Sequence, residues 1–480
     1  MPCKIKEFMV PVYNDYFALQ CTRKVAIPHP VHRGGRQSMQ KRFWYIVGFF
    51  VLLLAGGGGW FFLTVGERGK PVVEIGADVA VIGREKALDI TFSDSGRGLR
   101  RTEIVIAQDN QPRVLSAIDY PETGVRRKAV SVTVDAAALK LHDGPASLTL
   151  TAVDHSLWKN RTTLTRPVTI DFLPPQIFQL NTQNHINPGG TCVVAYHLSE
   201  AALLTGVQVG DLFYPAYPVT LPGKPGYAAY FALPLEATSG VPQIRILARD
   251  QAGNETASGI PALIQKRKFR SDKMVLTDSF LGQKMPEFQA LVPELRGKTP
   301  IETFIYVNTL LRADNLKTIQ SACLKSEPRP LWQDTFLRMK NAAPMALFGD
   351  RRTYLYGGKP VGESLHIGVD LASLVHAPIE AANNGIVRFT GMLGIYGNAV
   401  IIDHGMGLST LYAHMSGIQV KPDQIVKRGE VIGLSGATGL ASGDHLHFGV
   451  AVHGRFVDPR EWWDPHWIAD NVTKKIDVSF

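Results

Sequence analysis

The chain has 480 residues, of which 45% are hydrophobic and 19% charged, with a formal net charge of +9. That length allows about three folded units at the usual 100–200 residues each, and so apolar a composition argues against a disordered chain. Residues 1–42 hold eight basic and two acidic side chains, a net of +6, so the remainder shares only +3; the high pI marks one flank, and no nucleic-acid partner is expected.

Four cysteines, Cys3, Cys21, Cys192 and Cys323, show no C-x-x-C spacing, which excludes a cysteine zinc ribbon. Cys192 and Cys323 fall in different expected units and are not expected to pair. Folded units of this size do not need disulfides.

Residues 1–42 form a basic segment without periodicity. Met39 stands just before the apolar run and would be a natural start for an anchored protein, in which case 1–38 are an artefact of start assignment. From Phe43 to Gly66 no residue is charged. At about 1.5 Å per residue this stretch crosses the roughly 30 Å hydrocarbon core of a bilayer. Trp44, Tyr45, Trp60, Phe61 and Phe62 sit at its ends as interfacial anchors do, and Lys41 and Arg42 precede it. The positive-inside rule predicts a single-pass inner-membrane protein with everything after residue 66 periplasmic or extracytoplasmic. A cleaved signal peptide would have a shorter apolar region and a small-x-small site after it.

Residues 70–173 and 174–264 read as two β-sandwich modules, with short apolar runs broken by Gly, Pro, Asp and Asn. SLTLTAVDHSLWKN (147–160) resembles QIRILARDQAGNET (243–256). Each is an alternating strand that ends in an aspartate (Asp154, Asp250) and turns to an asparagine (Asn160, Asn254), as in the last hairpin of an immunoglobulin-like sandwich. Pro174 and Pro175 mark the boundary. Such modules serve as spacers or as docking sites for envelope proteins.

Residues 265–340 are expected to be a linker and helical connector. Lys266, Arg267, Lys268 and Arg270 are basic. Thr299-Pro300-Ile301-Glu302 has the pattern of a capping box with proline in the first turn, and Ile301, Phe304, Ile305 and Leu311 are placed on one apolar face.

Eight of the fourteen histidines lie between 366 and 466. In HLHF, strand alternation puts His445 and His447 on one face and Leu446 and Phe448 on the other. Two imidazoles side by side over an apolar sheet point to a shared metal or catalytic site. In LSTLYAHM, His414 ends an apolar strand that fixes its direction. His366 and Asp370 in HIGVD would stand about 13 Å apart in an extended strand, so a common ion at about 2.0–2.2 Å requires a bend, which Gly368 permits. Imidazole nitrogen and carboxylate oxygen suit Zn²⁺, and three protein ligands plus a water is the pattern of a catalytic zinc.

HIGVDLA, GIYGNAVIIDHG, TLYAHMS, VKRGEVIGLSGATG and HLHF, in this order, resemble the LytM/lysostaphin-type zinc peptidases of family M23, over residues 341–460. The resemblance implies one Zn²⁺ per chain held by His366, Asp370 and His447, with His414 and His445 as catalytic histidines that do not bind the metal. It implies a zinc-bound water attacking a peptide bond of peptidoglycan. Arg351 and Arg352, in GDRRTY, resemble a stretch before the first ligand in Gram-negative members and are candidates for substrate binding, as is Asn398, which also reads as a turn residue. The chain departs from the family pattern at Asp444 (often Pro), Gly449 (often Glu) and His376-Ala377-Pro378 (usually Gly-Thr-Pro), which bears on substrate subsites. His404 reads as a structural histidine, and Trp462 and Trp463 as a lid on the domain.

The expected architecture is therefore mainly β: one transmembrane helix, two β-sandwich modules, a short helical connector, an antiparallel β-sheet peptidase domain over 341–465, and a tail over 466–480. The alternatives are a catalytically silent regulator that activates cell-wall amidases, which the full set of five site residues disfavours, and a biotinyl- or lipoyl-type carrier, which lacks the required exposed lysine in a hairpin turn.

Overall fold

A computed structural model describes residues 37–65, 68–76, 78–180, 184–221, 224–238 and 242–476. The reading of residues 1–36, with Cys3 and Cys21, lies outside them. Helix α1, Gln37–Val65, continues through the four glycines at 56–59, and among the described residues nothing lies within 4 Å of where a Cβ on any of them would stand. Between Phe43 and Phe62 most of its aromatic and aliphatic side chains are exposed. Arg42–Phe62 is long and apolar enough to cross a membrane.

Beyond the helix the chain is clamped at once: Asn160 Nδ2 donates to Gly69 O and Thr162 Oγ1 to Pro71 O. The first β unit pairs a five-stranded sheet (Val81–Ile82, Arg161–Ile170, Gly144–Asp154, Leu99–Gln108, Gln111–Asp119) with a three-stranded one (Val72–Ile75, Glu85–Ser93, Arg127–Asp135). Alternation decides what lies between them: Ile104 and Ile106 meet Leu88, Ile90, Phe92, Leu148 and Leu150, all with negligible exposure.

The second unit holds two four-stranded sheets, one containing Thr191–Leu198 and Lys224–Ala232, the other Leu204–Val209 and Ile244–Arg249. Thr191–Leu198 does not alternate; seven of its eight residues are buried. The cause is a second cover. A continuous apolar core runs from this unit into the peptidase region, through Tyr230, Trp332, Phe336 and Trp462. Trp462 is fully buried, 5.4–6.0 Å from the rings of Tyr230, Trp332, Phe336 and Trp467, and its Nε1 donates to Thr191 Oγ1 at 3.2 Å. The lid expected of Trp462 is thus replaced by a seam residue, because the second β unit covers the face the lid would have closed. The segment read as a tail also packs there: Ile468, Val472 and Ile476 are buried in the same core.

The connector forms three helices, α2 (Asp278–Leu291), α3 (Pro300–Tyr306) and α4 (Arg312–Leu324), the last two joined by a π turn over Val307–Leu311. The Thr299–Glu302 capping box is present. Phe304, Val307, Ile319 and Cys323 face inward, whereas Ile305 is 39% exposed; at about 100° per residue it cannot share the face of Phe304 and Val307. Buried polar side chains fasten the helices to the C-terminal region: Lys284 Nζ donates to Ala437 O at 2.8 Å, Asn308 Nδ2 to Glu363 O at 3.0 Å, and Asn315 Oδ1 accepts Ile395 N at 2.9 Å. Cys192 and Cys323 are free and buried. The central sheet of the C-terminal region has eight strands, among them Val369–Ala372, Leu446–Val452, Leu408–Met415 and Asn398–Gly405.

Candidate metal centre and cleft

Register brings the site together. Val369–Ala372 and Leu446–Val452 are antiparallel neighbours with Asp370 opposite His447, and Ala413 lies opposite His447 on the next strand, so His414 is one residue away. His366 follows the strand Lys359–Leu365 and leaves the extended path. Its Nε2 lies 2.9 Å from Asp370 Oδ1 and 3.1 Å from His447 Nδ1, and His447 Nδ1 lies 2.9 Å from the same oxygen. Gly368 matters for a reason different from the one expected: a Cβ there would come within 2.6 Å of His447 Nε2 and of Phe448 O. Close approach, more than backbone freedom, demands glycine.

The donor set fits a divalent cation. His366 Nδ1 faces Leu347 O at 2.9 Å; a carbonyl only accepts, so Nδ1 carries the proton and Nε2 presents a lone pair to the site. His447 Nε2 is buried without a partner among the described residues. Three electron-rich atoms this close repel each other unless a proton or a cation lies between them, and one ion can lie about 2.0–2.2 Å from all three. These residues can hold a metal ion as a group.

His414 and His445 flank the trio, their rings 4.8 Å apart. Their Nδ1 atoms face Thr438 O and Gly443 O, each at 2.8 Å, which by the same argument puts a proton on each Nδ1. His445 Nε2 stands 3.6 Å from Asp370 Oδ1. Burial and then repulsion from His445 and His447 push His414 down to about 3. Burial pushes His447 down to about 4. Burial pulls Asp370 upward, but contacts with His366, His445 and His447 outweigh it and hold the carboxyl well below its usual range. His445 is raised because Asp370 outweighs its burial.

All five residues line one cavity of ≈ 570 Å³. Arg352 lines it as well, with Nη2 3.5 Å from Asp370 Oδ2. Arg351 does not: it is exposed on the other face of the strand Arg351–Tyr356, as alternation requires. Asn398 does not either. Its Nδ2 donates to Met415 O and its backbone N to Thr438 Oγ1, so it braces the turn behind His414. His404 is satisfied at both nitrogens, by Asn384 O and Thr410 Oγ1. Asp444 accepts from Ser435 Oγ at 2.5 Å and from His376 N at 3.1 Å. Phe280, Phe304 and Arg312 of the helices, and Tyr396, form further walls of the cavity. Tyr396 lies within GIYGNAVIIDHG, but no spacing in the sequence marks the other three, which lie up to about 165 residues before the last histidines and meet them only through the helix contacts described above.

Residues 364–459 match peptidase family M23. DD-carboxypeptidase/endopeptidase Mpg of Neisseria meningitidis serogroup B is 43% identical over 95 residues, 20% of this chain and 22% of that protein. Peptidoglycan DD-endopeptidase ShyA of Vibrio cholerae is 41% identical over 213 residues, 43% of this chain and 45% of that protein. A solved peptidase M23 structure from Pseudomonas aeruginosa covers 58% of this chain and 94% of its own, with 22% identity and a TM-score of 0.35. The chain therefore spans less than half the length of these curated relatives. Its C-terminal region carries an M23 peptidase domain.

Proposed function

We propose that this M23 domain is a zinc-dependent DD-endopeptidase that hydrolyses peptide cross-links of peptidoglycan, held at the outer face of an inner membrane by α1. The observation that carries the reading is the convergence of His366 Nε2, Asp370 Oδ1 and His447 Nδ1 within 3.1 Å of one another, with His414 and His445 beside them. Relatives bearing the DD-endopeptidase name support the substrate class.

His366, Asp370 and His447 would hold the zinc. When bound, it supplies a Lewis acid for the peptide carbonyl and an acidified water. His414 and His445 work on protons: with both Nδ1 atoms committed to backbone carbonyls, each Nε2 can take a proton during attack or deliver one to the leaving amine. Leu347 O fixes the tautomer of His366. Arg352, next to Asp370, is placed to hold a substrate oxygen. The apolar walls from Phe280 and Phe304 limit water in the cleft.

The test is digestion of purified peptidoglycan by the zinc-loaded chain, followed by mass analysis. Release of uncross-linked peptides that requires zinc and is lost in His447→Ala supports the reading. Undiminished hydrolysis by His447→Ala would overturn it.

A further inference from the structure

We infer that Arg312, carried by the helical connector and not by the peptidase sheet, recognises a free carboxylate of the substrate peptide beside the bond to be cleaved. The inference rests on the endopeptidase reading and adds a specificity determinant to it.

Arg312 opens α4 at the end of the π turn and lines the cavity that holds all five site residues. Its guanidinium is already oriented: Nε donates to Asn308 O at 3.3 Å and Nη2 to Asn308 Oδ1 at 3.0 Å. Asn308 is itself buried and donates to Glu363 O at 3.0 Å, on the strand that delivers His366. The cation is thus tied, through one neutral side chain, to the element that sets the first imidazole.

No carboxylate of the described residues pairs with Arg312, whereas Arg352 is already turned to Asp370. A guanidinium has five N–H donors, and the two contacts to Asn308 leave three. Tyr396 adds a second open group to the same cavity. Its hydroxyl is buried with no hydrogen-bond partner among the described residues, and its ring stands 5.7 Å from that of His447. A fixed guanidinium with no carboxylate partner among the described residues, lining the same cavity as an unpartnered phenol, matches a planar anion with two acceptor oxygens. The cross-links of the proposed substrate carry free carboxylates next to the peptide bonds, so the ligand class is a peptide carboxylate. Arginine at this place would separate free-acid peptides from their amidated counterparts.

The experiment uses the full zinc-loaded chain, wild type, R312Q and R312K, with two synthetic cross-linked peptides that differ only in amidation of the free carboxylates. The wild type is expected to favour the acid by about tenfold or more in kcat/KM, the worth of one charge-assisted hydrogen-bonded contact. R312Q is expected to lose most of that preference, through a higher KM for the acid and a much smaller change for the amide. R312K should fall between. Equal losses on both peptides, the signature of a merely structural role, would overturn the inference, as would an unchanged preference. Binding of both peptides by fluorescence anisotropy separates this inference from the reading beneath it. If the wild type cleaves neither peptide, the endopeptidase reading falls, and the binding ratio decides the role of Arg312. Tighter binding of the acid that disappears in R312Q supports it; equal binding of acid and amide refutes it.

Discussion

Glu461 accepts the backbone N–H of Thr191 at 2.7 Å, across 270 positions of sequence. Glu461 follows the last strands of the peptidase region and Thr191 opens the central strand of the second β unit, so this bond lies in the seam between them. The carboxyl is almost completely buried, and that burial pushes it up to about 8. Nearby Asp458 is raised to about 6 by burial, which Arg267 only partly offsets. Between the ordinary value of about 4.5 and about 8, the folded protein therefore binds a proton that the unfolded chain has released. Linkage gives the sign: stability is greatest below about 4.5 as far as this group is concerned, and declines as pH rises to about 8. Glu461→Gln should flatten that decline. Thermal midpoints from pH 5 to pH 9 are expected to fall less in the variant than in the wild type, with the largest gap at the alkaline end. Parallel curves would show that Glu461 stays ionised in the seam.

The proposed metal and proton roles separate by substitution. His447→Ala removes one of three converging ligand atoms, so zinc content by elemental analysis and peptidoglycan hydrolysis should be lost together. His414→Ala leaves the trio intact, so zinc should remain near one per chain while hydrolysis falls by about 10²–10⁴. Full zinc in His447→Ala would mean that the ion sits elsewhere.

Phe304 seals the helical unit onto the sheet. It is 1% exposed, and its ring meets Tyr354 edge-on at 5.0 Å. Phe304→Ala should cost about 3–5 kcal/mol, the usual range for emptying an aromatic core site. The loss would appear as a lower midpoint in denaturant. Because Phe304 also walls the cleft, hydrolysis should decline at temperatures where the fold persists. An unchanged midpoint would mean that the helices ride loosely on the domain.

What the sequence revealed follows from the range of the interactions involved. Strand alternation placed His445 and His447 on one side, and both reach Asp370. The aspartate–asparagine pattern marked two like turns, and each exists: Asn160 Nδ2 reaches Asp154 Oδ2 at 2.9 Å and Asn254 Nδ2 reaches Asp250 Oδ2 at 3.0 Å. The Thr299 cap is also local and was also legible. Contacts between distant segments were not. Nothing in the pattern of Thr191–Leu198 shows that its outer face is covered by Trp462, and nothing near Arg312 shows that it borders a histidine site. Asn398 reads from the sequence both as a turn residue and as a substrate contact, because a turn asparagine can brace or bind; here its Nδ2 donates to Met415 O.

Asp444 departs from the family pattern, and its contacts show what it does here. One oxygen accepts Ser435 Oγ and the other accepts His376 N. The carboxylate therefore ties the turn before His445 to the loop of residues 373–377, whose Leu374 and Val375 are 80% and 72% exposed. His376 sits at φ +54°, a left-handed conformation uncommon for a residue other than glycine. Asp444→Ala removes both acceptors, unties the 373–377 loop from the turn before His445 and leaves the three converging ligand atoms in place. Zinc content should stay near one per chain, while KM for a cross-linked peptide rises by more than kcat falls. Asp444→Asn keeps one carbonyl acceptor and should lie nearer the wild type. A collapse of zinc binding in Asp444→Ala would instead show that the loop supports the metal centre and not the substrate rim.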